Sequence, residues 1–252
     1  MIKFEHVNLA LCRGTKLERK ILTNLNLDIK NGEFVVIIGG NGAGKSTLFS
    51  LISGHRFPDS GSIIIDNLNV SAYPQFKRAT LVAEVMQDPK MGTMENMTIE
   101  ENMSFAYYRG KTRTLLPHNS HKRRKIFQDK LSMLEMKLEN RMDELVGNLS
   151  GGQRQALALI MAISTDSKVL LLDEITAALD PKTAENVIKL AAHIVKEEQR
   201  TTLMITHNMD HAIQYGDRTL LLAQGNIFKE YTYEEKKMLT PLMLATDFCE
   251  YS

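Results

Sequence analysis

Cysteine is scarce: the 252 residues hold only Cys12 and Cys249. One pair cannot build a disulfide framework, and no metal-ligand spacing accompanies it, so a reducing compartment fits best. Net charge is scarce as well. Lys and Arg number 31 against 30 Asp and Glu, so no global field draws the chain to nucleic acid or to an acidic membrane. No apolar run approaches the roughly 20 residues of a membrane span, and the opening MIKFEHVNLALCRG lacks the uninterrupted apolar core of a signal peptide. Work at a membrane would therefore need something else to hold the chain there. Internal repeats and low-complexity segments are also missing. What is present, 43% hydrophobic and 24% charged residues, suits a globular chain with a substantial core and room for one inserted subdomain.

Three regions follow from the patterning. From Ile2 to about Ile38 it is strand-like, with KILTNLNLDI and EFVVII flanking the turn signal Asn31-Gly32, which predicts a small antiparallel sheet. The pattern then alternates between strand and helix up to TLVAEVM and Gln87. From about Asp88 to Ala158 the strands disappear. Thr98-Ile-Glu-Glu101 has the form of a capping box, and Phe127, Leu131, Leu134 and Leu138 recur at helical spacing, which predicts a helical insertion. Strand-helix alternation resumes with VLLLDE, a long helix begun by Asp180 and Pro181, the strand TTLMIT, a short helix and the strand TLLLA.

The first chemical site is GGNGAGKST. Gly39 to Ser46 matches G-x-x-x-x-G-K-[ST] between the β-branched run VVII and the helical LFSLIS, the context a phosphate-binding loop requires. Glycine lets successive amides turn inward toward phosphate oxygens, where a β-carbon would obstruct them. The predicted nucleotide contacts are Gly39, Gly40, Asn41, Gly42, Ala43, Gly44, Lys45, Ser46 and Thr47. Lys45 is expected to bridge the β- and γ-phosphates, Ser46 to ligate Mg²⁺, and Thr47 to reach the α-phosphate side. In VLLLDE, four apolar residues read as a buried parallel strand, which puts Asp173 and Glu174 at the ligand-facing carboxyl end. Asp173 would serve the metal and Glu174 would polarise the attacking water as general base. Ser150, Gly151, Gly152 and Gln153 form a second anion-binding helix start. One nucleotide has no need of two.

GGNGAGKST, LSGGQ and VLLLDE, in that order, resemble the nucleotide-binding subunit of ABC transporters. The resemblance covers nearly the whole chain. It implies an α/β fold with a P-loop (RecA-like) core, an N-terminal antiparallel β subdomain and an inserted α-helical subdomain. It implies one ATPase domain over residues 1–252, with 1–87 and 159–252 as the nucleotide-binding core and 88–158 as the helical part. It implies ATP and Mg²⁺ as cofactors. It also gives the second helix start a purpose, because in this family LSGGQ serves the P-loop of a second, head-to-tail copy. Gln87 resembles the glutamine that senses Mg²⁺ and the γ-phosphate. Asp180 in TAALD resembles the loop that crosses to the partner, and His207 resembles the switch histidine that contacts the γ-phosphate and orients Glu174.

Three departures stand out. The family carries an aromatic residue that stacks on adenine, and the spacing to KILTNLNL places Leu11 there, so weaker nucleotide affinity and poorer ATP-over-GTP selectivity are expected. Gly40 in the loop and Ile175 after the acid pair are smaller deviations that remove no catalytic group. With no predicted membrane span, transport implies a separate permease, docked by the helical insertion near LENRMDELVG, and indirectly a substrate-binding protein. The expected location is the cytoplasmic face of the cell membrane. The basic stretch Arg109–Lys125 reads as a solvated face, and without interleaved aromatics it gives no sign of nucleic-acid binding. The wording MGTMENMTIEENMSFAYYRG and DEITAALDPKTA is similar to a bacterial subgroup of stand-alone import ATPases serving amino-acid uptake. A soluble assembly ATPase, such as that of iron-sulfur cluster biogenesis, shares the same fold, length and motifs and stays open as an alternative.

Overall fold

The computed structural model describes residues 1–110, 121–177 and 179–251. Residues 111–120 of the basic stretch lie outside the described residues.

Two sheets share the chain. β1 (Ile2–Leu11) and β2 (Arg19–Ile29) pair antiparallel. β3 (Phe34–Gly39) does not continue that sheet, contrary to the sequence expectation that EFVVII would join it across Asn31-Gly32. It runs instead in the second sheet. The reason lies in burial: β2 alternates between exposed and buried positions toward its end, as a one-sided strand does, whereas all six residues of β3 are buried. Burial on both faces suits the middle of a parallel sheet. The turn still relies on glycine, since Gly32 has φ 72° and a Cβ there would stand 3.1 Å from the Gln199 carbonyl oxygen.

After the glycine-rich loop come α1 (Lys45–Ser53), β4 (Ser60–Ile65) and β5 (Leu68–Asn69). These strands complete the first sheet in the order β2-β1-β4-β5. α2 (Gln75–Arg78) leads to β6 (Val82–Val85). The helical region follows, with α3 (Pro89–Gly92), α4 (Ile99–Tyr107), α5 (His121–Ser132) and α6 (Gly151–Ile163). The predicted capping box is present: Thr98 accepts from the Glu101 amide, and Glu101 accepts in return from the Thr98 amide. Phe127, Leu131, Leu134 and Leu138 are all buried. The helix that should carry all four stops at Ser132, however, and the chain turns through left-handed Glu135 and Lys137 before a single 3-10 turn at Leu138–Asn140. Turns can bury leucines as well as a helix can, so apolar spacing alone did not mark the end.

The remainder comprises β7 (Val169–Asp173), α7 (Pro181–Glu198), β8 (Thr201–Ile205), α8 (Met209–Gln214), β9 (Arg218–Ala223), β10 (Asn226–Tyr231), α9 (Tyr233–Lys236) and α10 (Pro241–Tyr251). The second sheet has the order β10-β9-β3-β8-β7-β6, and it is parallel except for β10. Its two faces feed two apolar clusters. Val35 and Ile37 of β3 join α1 and the first sheet, while Val36 and Ile38 join α6, α7 and the helical region, as the alternation of a strand dictates. α6 runs without a break past residue 158 and is buried from Arg154 to Ile163, bridging sheet and helical region. Among the described residues no helix is long and apolar enough to cross a membrane.

Candidate active site

The carboxyl ends of neighbouring parallel strands converge on one edge, where open α/β sheets bind their ligands. β3 delivers the glycine-rich loop there. Gly39 packs so closely against β9 that a Cβ would stand 2.3 Å from the Leu222 carbonyl oxygen, and Gly42 and Gly44 adopt φ 79° and 108°. The buried Lys45 donates from Nζ to the carbonyls of Gly39 (2.7 Å) and Gly40 (3.0 Å). Burial lowers its pKa, and the carboxylates of Glu174 and Asp173 oppose that shift. Asn41, Gly42 and Ser46 are exposed, with Ala43 and Gly44 buried beneath them.

β7 lies between β6 and β8, and predicted site residues follow all three: Gln87 after β6, Asp173 and Glu174 at the end of β7, and His207 after β8. Glu174 follows the buried run Val169–Leu172 and Asp173. Its Oε2 accepts from Gln87 Nε2 at 2.9 Å, just beyond β6. Its Oε1 lies 2.7 Å from His207 Nε2, just beyond β8. The carboxylate is thus clasped from both flanks. The Glu174 amide donates to the Ile205 carbonyl (3.1 Å), so pairing with β8 holds the residue in the left-handed conformation (φ 47°) that non-glycine residues seldom adopt. Asp173 is pushed up to about 6, first by burial and next by Glu174, with Lys45 and His207 acting the other way.

A second group of predicted residues sits at the starts of α6 and α7. Ser150 caps α6, accepting from the Gln153 amide (3.3 Å), while Gln153 Oε1 accepts from the Ser150 amide (3.2 Å). Around Gly151 there is open space, and a Cβ on Gly152 would meet Thr183 Cγ2 at 3.3 Å. Asp180 caps α7, and its hydrogen bonds from Thr183 hold its carboxyl below the usual range. Among the described residues no hydrogen bond or ion pair links this group to Glu174 or the glycine-rich loop. Leu11, at the end of β1, is half-buried against the core.

Some site-supporting residues escaped the sequence reading. Gln155 donates from Nε2 to the Met86 carbonyl (3.1 Å) and so ties α6 to the residue before Gln87. Arg154 donates to Thr93 Oγ1 (2.5 Å). Both follow LSGGQ on the buried side of α6, and no local motif marks them.

Residues 22–177 match the ABC transporter family. The tyrosine transport ATP-binding protein of Clostridioides difficile (strain R20291) is 46% identical over 220 residues, 87% of each chain. The thiamine import ATP-binding protein ThiQ of Yersinia pseudotuberculosis is 35% identical over 207 residues, 80% of each. A solved dimeric ATP-binding cassette in a post-hydrolysis state, bound to ADP and Pi, superposes with a TM-score of 0.80 at 29% identity, covering 92% of this chain and 98% of that one. With the glycine-rich loop, the clasped glutamate and the signature helix start all in place, the chain belongs to the ABC transporter family, as an ATP-binding subunit with the fold and ATPase activity of its cassettes.

Proposed function

We propose that two copies of this chain pair head to tail, hydrolyse ATP between them and drive solute import, of amino acids foremost, through a separate permease supplied by a substrate-binding protein. The carrying observation is the split site: one chain brings together Lys45, Asp173, Glu174, Gln87 and His207, while among the described residues no hydrogen bond or ion pair joins its Ser150–Gly152 helix start to them. A partner's helix start completes the phosphate cradle and stabilises charge at the γ-phosphate. Identity to a tyrosine transport ATP-binding protein supports amino acids as the cargo class.

In this reading Lys45 exchanges the Gly39 and Gly40 carbonyls for β- and γ-phosphate oxygens. Among the described residues no cluster of three acidic, His or Cys side chains could cage a metal alone. That fits Mg²⁺, which takes one or two protein oxygens and fills its remaining positions with phosphate and water. Ser46 Oγ, the Asp173 carboxylate and the Gln87 side-chain carbonyl would hold it, and it supplies neutralisation of phosphate charge. Glu174 takes the proton of the attacking water, and His207 fixes the orientation of that carboxylate. Thr47 borders the α-phosphate, and Asp180 reaches the partner.

The permease docks where α2, α4 and α6 leave a groove of about 530 Å³. Exposed Phe76 and Phe105 wall it, and small Ala106, Ala158 and Ala162 floor it. The subunit accordingly works at the cytoplasmic face of the membrane. Glu174→Gln tests the scheme: turnover should fall by ~10²-fold or more while ATP traps a dimer in analytical ultracentrifugation. Undiminished phosphate release, or a monomer at saturating ATP, would refute it.

A further inference from the structure

The lip of the glycine-rich loop carries a side chain that no motif singles out. Leu11 at the end of β1 and Arg19 at the start of β2 stand directly opposite each other in the antiparallel pair. Such partners share a face, with Cβ atoms about 5 Å apart. Leu11 leans on the apolar core, whereas Arg19 is exposed and reaches the loop: its Nη2 stands 3.2 Å from where a Cβ of Gly42 would be. Among the described residues the Arg19 guanidinium makes no hydrogen bond or ion pair. Its neighbours are committed, Arg13 to Asp59 and Glu18 to the Gly14 amide.

We propose that Arg19 covers the purine of the bound nucleotide, its guanidinium plane lying on the base beside Leu11. This rests on the reading that Gly39–Thr47 holds the phosphates. A guanidinium is flat, weakly hydrated and suited to stacking on π faces. Leu11 supplies apolar contact without a ring, and Arg19 supplies the missing plane from the adjacent strand. Arg19 borders the phosphate loop with Leu11 opposite it, so a nucleotide whose phosphates enter the loop can lay its base across the pair. The expected penalty of an absent aromatic residue at Leu11 is thereby offset.

The competing role for the same guanidinium is a charge contact to phosphate, and substitutions separate the two. Stacking needs a plane, while a phosphate contact needs only a positive charge. By calorimetry with ATP, Arg19→Ala and Arg19→Lys should each bind about fivefold or more weakly than wild type, and Arg19→Tyr within about twofold of it. An unchanged Kd in Arg19→Ala, full retention in Arg19→Lys, or a loss in Arg19→Tyr as large as in Arg19→Ala would each overturn the proposal. Lys45→Ala serves as the control. If wild type binds no ATP, or Lys45→Ala binds as well as wild type, the assignment of the loop itself fails.

Discussion

Glu84 on β6 lines the groove between α2, α4 and α6, and burial pushes its carboxyl up to about 7 from an ordinary 4.5. The negative charge of Asp173 adds to the rise, while a hydrogen bond from Ser53 and the charge of Arg109 oppose it. The folded state therefore binds a proton between these two values that the unfolded chain has released. The associated stability is complete below about 4.5 and is lost as pH climbs through about 7. Glutamine copies the protonated form, so Glu84→Gln should raise the melting temperature by a few degrees at pH 8 and hardly at all at pH 5. Equal shifts at the two pH values in thermal denaturation would contradict this account. The residue scale also shows where local reading stops. Lys45 and Ser46 were legible because a P-loop is written in consecutive residues. Arg19 was not, because its position beside Gly42 depends on cross-strand register between β1 and β2.

At the scale of elements, caps decide where helices begin. Thr98 and Glu101 satisfy each other's amides at the start of α4, with no hydrogen bond among the described residues from Thr98 to a predicted nucleotide contact. Thr98→Ala should cost about 1 kcal/mol in urea denaturation and leave the ATP Kd unchanged; a loss of ATP affinity would mean that α4 reaches the site. The box at Thr232 and Glu235 was not singled out, but the capping box at Thr98 was readable as a spacing and the helix start at Ser150 as part of LSGGQ, because cap chemistry is local. Strand partnership is not. EFVVII looked like the second arm of a hairpin, yet its two-sided burial sends it between β8 and β9, whose paired residues lie 168 to 183 positions further along the sequence. The clasp on Glu174 has the same origin. Gln87, Glu174 and His207 could each be proposed from motifs, but their convergence follows from the order β8-β7-β6, which no short stretch encodes.

For the molecule as a whole, the decisive property is that among the described residues no hydrogen bond or ion pair joins the two predicted groups. Ser150 and Gly151 are exposed at the start of α6, with no Cβ obstruction around Gly151. A large cation there should disturb a partner's phosphates without touching the chain's own loop. Ser150→Arg should thus bind ATP with near wild-type affinity yet release no phosphate above background. Retained turnover would show that each copy completes its own centre.

The clasp also governs a copy that has no partner. Each carboxylate oxygen of Glu174 already holds a hydrogen bond or ion-pair contact before any fuel arrives, and the lone pairs left over keep one aim. A subunit waiting for its twin would then have nothing to rearrange at this carboxylate, and assembly would only have to deliver the missing half.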